Sequence, residues 1–229
     1  MMGRNYGKVF QFFQGIIRLV YPTYHVQIPF ELTRPVVYVS HHQNLFGPFI
    51  ILLWFPKLLR AWILHVFLDQ ETCYRQYVDY TFTKRFGINK YAAKMFALPL
   101  SFAITTFLRS GKGIPVYRGS RKIIHTFRLS VDALCKGDSI VIFPDIDYTD
   151  NSSQIKEMYD GYLLLDKYYY QATGEHVCFI PLYVSKKKKL LIAKKEIRFR
   201  EGEDINMERK RIYQEIIDTL NQLAEECGE

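Results

Sequence analysis

The chain has 229 residues, 48% of them hydrophobic and 16% aromatic, enough to bury the core of one large domain and too apolar for a disordered segment. Its net charge of +8 favours an anionic partner, such as a phospholipid surface, a phosphorylated substrate or a nucleic acid. Four widely spaced cysteines, Cys73, Cys135, Cys178 and Cys227, form no CxxC pair, so they read as reduced thiols rather than a disulfide framework or a zinc site.

Val9, Phe10, Phe13, Ile16, Ile17 and Val20 recur at helical spacing, and residues 1–30 contain no acid while Arg4, Lys8 and Arg18 add positive charge. Two readings fit this segment: a basic helix lying in the headgroup region of an anionic bilayer, or a helix packing its apolar face on the domain. It lacks the long uncharged core and small-residue cleavage site of a signal peptide. Nowhere does the chain reach ~18 uninterrupted apolar residues.

"PVVYVS" (35–40) predicts a buried strand and "PFIILLWFPKLL" (48–59) a helix apolar almost all round. "RAWILHVF" (60–67) predicts a strand, and 71–86 and 90–108 two helices. The second of these contains Pro99 and is expected to be too short to span a bilayer but apolar enough to touch one. "GIPVYR" (113–118) is a short strand. Ser120 is placed to cap a helix from Arg121 to about Cys135, which Gly137 stops. "SIVIFP" (139–144) is a buried strand and "DIDYTDNSS" a loop. A helix over 157–172 precedes strands at 177–184 and 189–199 around the turn "SKKKK", and an amphipathic helix covers 206–226. Alternation of strands and helices predicts an α/β domain over 31–229, a largely parallel sheet flanked by helices, behind an N-terminal amphipathic segment, 1–30. Ligands of such sheets bind beyond the C-terminal strand ends. The histidine loop "SHHQNLFGPF", Arg118 and the Asp-rich loop each follow a strand and are therefore expected to converge.

Four blocks in order carry a resemblance: "SHHQNLFGPF", "GIPVYRGS", "FPDIDYTD" and "FIPLYV". They resemble the four motifs of the lysophospholipid and glycerol-phosphate acyltransferases: a "SNHxSxxDPF" block, a short strand ending in Arg, an "FPEGTRS" block and a Val/Ile-Pro-Val strand. The blocks span residues 36–184. The resemblance implies an acyltransferase-like fold and transfer of an acyl chain from a thioester to a lysophospholipid or glycerol-phosphate hydroxyl. The donor would be acyl-CoA or acyl carrier protein as co-substrate, with no resident cofactor or metal. The setting would be peripheral, on a phospholipid membrane surface at its cytoplasmic face. His42 falls at the position of the base, Arg118, Gly119 and Asn44 at substrate-binding positions, and Asp145 and Asp147 in the third block.

Each role has a chemical reason. A glycerol hydroxyl needs a general base, for which a neutral imidazole is suited near pH 7. A carboxylate beside the imidazole sets its tautomer. An Arg grips phosphate, often bidentately. The chain departs from the family at the acid itself: five residues after His42 stands Gly47, not Asp, and "EGT" has become "DID". Either Asp145 or Asp147 replaces the missing acid, or the chemistry is lost and a lipid-binding relative remains. Bland readings stand beside these: His42 as a turn histidine, Arg118 as a structural ion pair, "DIDYTD" as a solvated loop or a cation site, and Lys186–Lys189 as a solvated turn or a lipid-headgroup contact. Adjacent histidines seldom share one metal ion. The basic residues are too dispersed for a nucleic-acid motif.

Overall fold

A computed structural model describes residues 5–28 and 34–229. Arg4, one of the basic N-terminal residues, lies outside the described residues, as does the junction at 30/31. The helices are α1 (Lys8–Val20), α2 (Phe46–Trp54), α3 (Gln70–Gln76), α4 (Lys90–Ser110), α5 (Ile123–Cys135), α6 (Leu165–Thr173) and α7 (Ile205–Cys227). The strands are β1 (His25–Gln27), β2 (Val37–Val39), β3 (Leu59–Leu64), β4 (Ile114–Val116), β5 (Ser139–Ile142), β6 (Phe179–Ser185) and β7 (Leu190–Ala193). They divide into two compact units, Met1–Ile16 with Arg60–Thr126 and Ile17–Leu59 with Phe127–Glu229. The N-terminal segment is thus shared between them.

In the second unit the strands lie in the order β1-β7-β6-β2-β5. β2 is parallel to both neighbours, with Val37 beside Ile140 and Phe179, and Val39 beside Ile142 and Pro181. This register brings the C-terminal ends of β2 and β5 to one edge. β6 and β7 form the antiparallel hairpin around the lysine turn, and β1 adds a parallel edge strand on β7. Every residue of β2 and β6 is buried, as a sheet covered on both faces requires, and α2 and α7 both pack on β6. The α/β class and the largely parallel sheet are as the sequence predicts.

β7 stops at Ala193, short of the expected 199. The next partner on β6 is Pro181, which accepts from the Lys194 amide (3.3 Å) but has no N–H to return. The chain rejoins at Ile197, which exchanges two backbone hydrogen bonds with Phe179. β1 was not foreseen; three residues are too few for a period-2 signal.

In the first unit β3 runs parallel to β4, with Trp62 beside Ile114. The helix expected over 71–86 is α3, capped by the Asp69 side chain on Thr72 N–H (3.0 Å), continued by a π-helical segment, Tyr77–Arg85. α4 starts at Asn89, whose side chain accepts from Tyr91 N–H (2.8 Å), and passes Pro99 without breaking. At 21 residues it is long and apolar enough to cross a bilayer by length and composition, longer than the sequence indicates. α1 packs on it: Phe10 stacks on Phe107 with ring centroids 4.8 Å apart, and Gly7 N–H donates to the Ser110 carbonyl (2.7 Å).

Candidate functional site

The histidine loop leaves β2 at Ser40, whose N–H donates to the Ile142 carbonyl at the end of β5 (3.0 Å). That bond carries the β2 ladder one residue further and sets His41 beside the segment that follows β5. There Asp145 is pinned by a bridge to Met158 and is 3% exposed.

The Asp145 carboxylate organises the loop. One oxygen meets Nδ1 of His41, and the other accepts the backbone N–H of His42 (2.9 Å). His41 Nε2 lies 3.0 Å from the Ser152 carbonyl. A carbonyl only accepts, so the ring donates from Nε2 there. Both nitrogens of this buried ring are occupied. His41 therefore ties together β2, the segment after β5 and the Asp-rich loop.

His42 presents a different ring. Its Nδ1 accepts the N–H of Leu45 (3.0 Å), so in the neutral imidazole the proton sits on Nε2. A base working through Nε2 needs the opposite tautomer, with Nδ1–H held by an acceptor. The ring lies edge-on to Phe143 (5.9 Å) and Tyr148 (6.2 Å). The carboxylate expected to orient this imidazole thus touches only its backbone.

The cause is the backbone between the histidine and α2. Gln43, Asn44 and Leu45 all have left-handed φ, at 46°, 49° and 71°. Such conformations cost of order 1 kcal/mol or more per non-glycine residue. The turn folds the chain back so that Leu45 N–H reaches His42 and Gly47 N–H donates to the His42 carbonyl (3.1 Å). Gly47 is required by close approach: a Cβ there would overlap the His41 carbonyl oxygen and lie 3.3 Å from that of His42. Gly47 is thus fixed by the closeness of the turn to the His41 and His42 carbonyls. Gln43 is buried, donating to the Val184 carbonyl on β6 (3.4 Å), while its Oε1 has no partner among the described residues.

Asn44 is exposed on the left-handed turn. Asp147 is exposed and caps its own loop, accepting from Thr149 Oγ1 (2.6 Å) and Thr149 N–H (2.9 Å), bonds that lower its pKa. Asp150 does likewise: the Ser152 N–H (2.8 Å) first, then the Ser152 side chain and Lys156, hold its pKa at about 2. That bond helps fix Ser152, whose carbonyl receives His41. Arg118 and Gly119 belong to the other unit, where they follow β4. Gly119 takes φ 66°, and Ser120 Oγ accepts from Lys122 N–H (3.0 Å) ahead of α5. Among the described residues no group of three or more His, Cys, Asp or Glu side chains is placed to hold a metal ion.

The structure therefore joins Asp145 to both histidines but gives its side-chain contact to His41, a residue the motif frame passes over. Only the doubled histidine hints at this, and sequence spacing does not choose between the two.

No family model and no curated protein matches the chain. Among solved structures it is similar to the 1-acyl-sn-glycerophosphate (LPA) acyltransferase PlsC from Thermotoga maritima, with a TM-score of 0.52 and 11% identity. The similarity covers 94% of this chain and 78% of that one. At that identity the likeness establishes an acyltransferase-like fold.

Proposed function

We propose that this acyltransferase-like fold serves as a lipid-binding protein at membrane surfaces. Its ligands are those of acyl transfer: a lysophospholipid or glycerol-phosphate acceptor, and an acyl thioester on coenzyme A or acyl carrier protein. Its histidine loop is a binding element that does not abstract a proton. The observation that carries this reading is the Leu45 N–H bond to His42 Nδ1, which leaves a proton where a base needs a lone pair. His41 offers no alternative, because Asp145 and the Ser152 carbonyl occupy its ring. In this reading Asn44 makes a polar contact from the left-handed turn, and Arg118 with Gly119, in the other unit, is an anion contact of its own.

A lipid surface as partner is supported by the first unit. There α1 exposes Phe12, Phe13 and Ile16, and α4 exposes Met95, Phe96, Leu98 and Phe102, with Lys8, Lys90 and Lys94 on the same helices. Apolar side chains beside lysines suit the headgroup boundary of an anionic leaflet, and the net charge suits the cytoplasmic face.

A second reading, active acyl transfer, is favoured by the strained turn itself. Rewinding Gln43–Leu45 into right-handed conformations relieves strain and frees Nδ1 of His42. One experiment separates the two: incubation with lysophosphatidic acid and labelled acyl-CoA or acyl carrier protein, beside a direct binding measurement. Binding without transfer above the uncatalysed blank is the expected outcome. Transfer that His42→Ala abolishes would establish the second reading, and absence of both binding and transfer would overturn both.

A further inference from the structure

The lysine turn "KKKK" plays no part in the site described so far. It follows β6, whose last residues run alongside the start of the histidine loop, where Gln43 reaches the Val184 carbonyl. Beside it lies a shallow, open depression lined by Asn151, Ser153, Lys186, Lys187 and Glu229. Asn151 and Ser153 flank Ser152, the residue whose carbonyl holds the His41 ring. The depression therefore borders the 151–153 segment whose Ser152 carbonyl meets the His41 ring.

The two lysines are held in place. Lys186 Nζ lies 4.8 Å from the ring centroid of Phe46, the first residue of α2 after the histidine loop. Lys187 Nζ donates to the Gly228 carbonyl (3.2 Å) and its N–H to Glu229 Oε1 (2.6 Å). Among the described residues neither ammonium is paired with a carboxylate. The Glu229 carboxylate is satisfied by uncharged donors, Tyr183 O–H (2.8 Å), Ser185 O–H (2.7 Å) and the Lys187 amide. The depression is thus lined by two lysines, an amide and a hydroxyl beside the Glu229 carboxylate, and the first four groups can donate to a tetrahedral oxyanion.

We propose that this depression binds the phosphate group of a ligand of the acyltransferase-like site, with Lys186 and Lys187 as its charged donors and Asn151 and Ser153 as its neutral ones. The inference rests on the reading of the chain as a binder of acyl-transfer ligands and adds a phosphate site to it. The phosphate comes from the acceptor or from the thioester carrier.

Titration calorimetry on the full chain distinguishes these sources. The probes are glycerol 3-phosphate, hexanoyl-lysophosphatidic acid below its critical micelle concentration, and coenzyme A beside pantetheine. Lys186→Gln and Lys187→Gln should each weaken binding of the phosphate-bearing source at least roughly tenfold, the scale of a charge-assisted hydrogen bond. The double variant should abolish it, with thermal unfolding unchanged. Dependence of hexanoyl-lysophosphatidic acid and glycerol 3-phosphate on the lysines assigns the site to the acceptor, and preference for coenzyme A over pantetheine assigns it to the donor. Undiminished binding of every phosphate probe by the folded double variant overturns the site while leaving the lipid-binding reading intact. Lysine-dependent binding of glycerol 3-phosphate without lysophosphatidic acid or coenzyme A binding keeps the site and overturns that reading. A wild-type protein that binds none of the probes overturns both.

Discussion

Replacing Gly47 tests the geometry of the histidine loop most directly. In Gly47→Ala the new Cβ meets the His41 carbonyl oxygen, which is part of the backbone and cannot swing away as a side chain would. Relief of the overlap opens the turn. It strains the Gly47 N–H bond to the His42 carbonyl (3.1 Å) and the His42 N–H bond to Asp145 (2.9 Å). Overpacking of a closed site costs ~1–3 kcal/mol, and weakened hydrogen bonds, one of them to a carboxylate, add ~1–2 kcal/mol. The smaller unfolded-state entropy of Ala offsets ~0.4–1 kcal/mol. A net destabilisation of about 1–5 kcal/mol follows, or roughly 2–20 °C in Tm for a chain of this size. Urea and thermal unfolding followed by circular dichroism read both quantities. Gly47→Asp carries the same backbone conflict, so although it restores the family's acid it should yield no acyl transfer. An Ala variant within 0.5 kcal/mol of wild type, or transfer gained by the Asp variant, would refute the reasoning.

Asp145→Asn should destabilise by about 1–3 kcal/mol, the scale of leaving a buried polar group unsatisfied, because an amide must turn its NH2 toward one of the two groups that meet the carboxylate; a loss below about 0.5 kcal/mol in urea would show that the loop is held elsewhere. Asp150 has a folded-state pKa of about 2 against ~3.9 unfolded, so its contribution is present above about pH 4 and is lost as pH falls toward 2. Asp150→Asn should flatten the stability profile in that window, and identical profiles would remove Asp150 from the account. Wild-type protein should co-sediment with anionic vesicles, less so at high salt, and Phe12→Ser with Phe102→Ser should shift a large fraction to the supernatant. Recovery in the supernatant that is the same with and without lipid excludes the membrane face.

The α/β class, the main strands and the placing of the histidine and Asp-rich loops after strands follow from residue patterns alone. Apolar runs such as "VVYV" and "SIVI" are buried wherever their helices lie, and Asn89, Ser120 and Gly174 mark helix boundaries through bonds to near neighbours. Local pattern suffices there because the deciding interactions span a few residues. The role of each histidine is different. Asp145 is 104 positions from His41, and three left-handed residues swing the adjacent His42 onto a backbone amide instead. Neither the long-range carboxylate contact nor the sign of φ at Gln43–Leu45 has a periodicity that a sequence displays. Gly47, in the sequence a missing acid, is in the fold the one residue small enough to let the loop close on the His41 carbonyl.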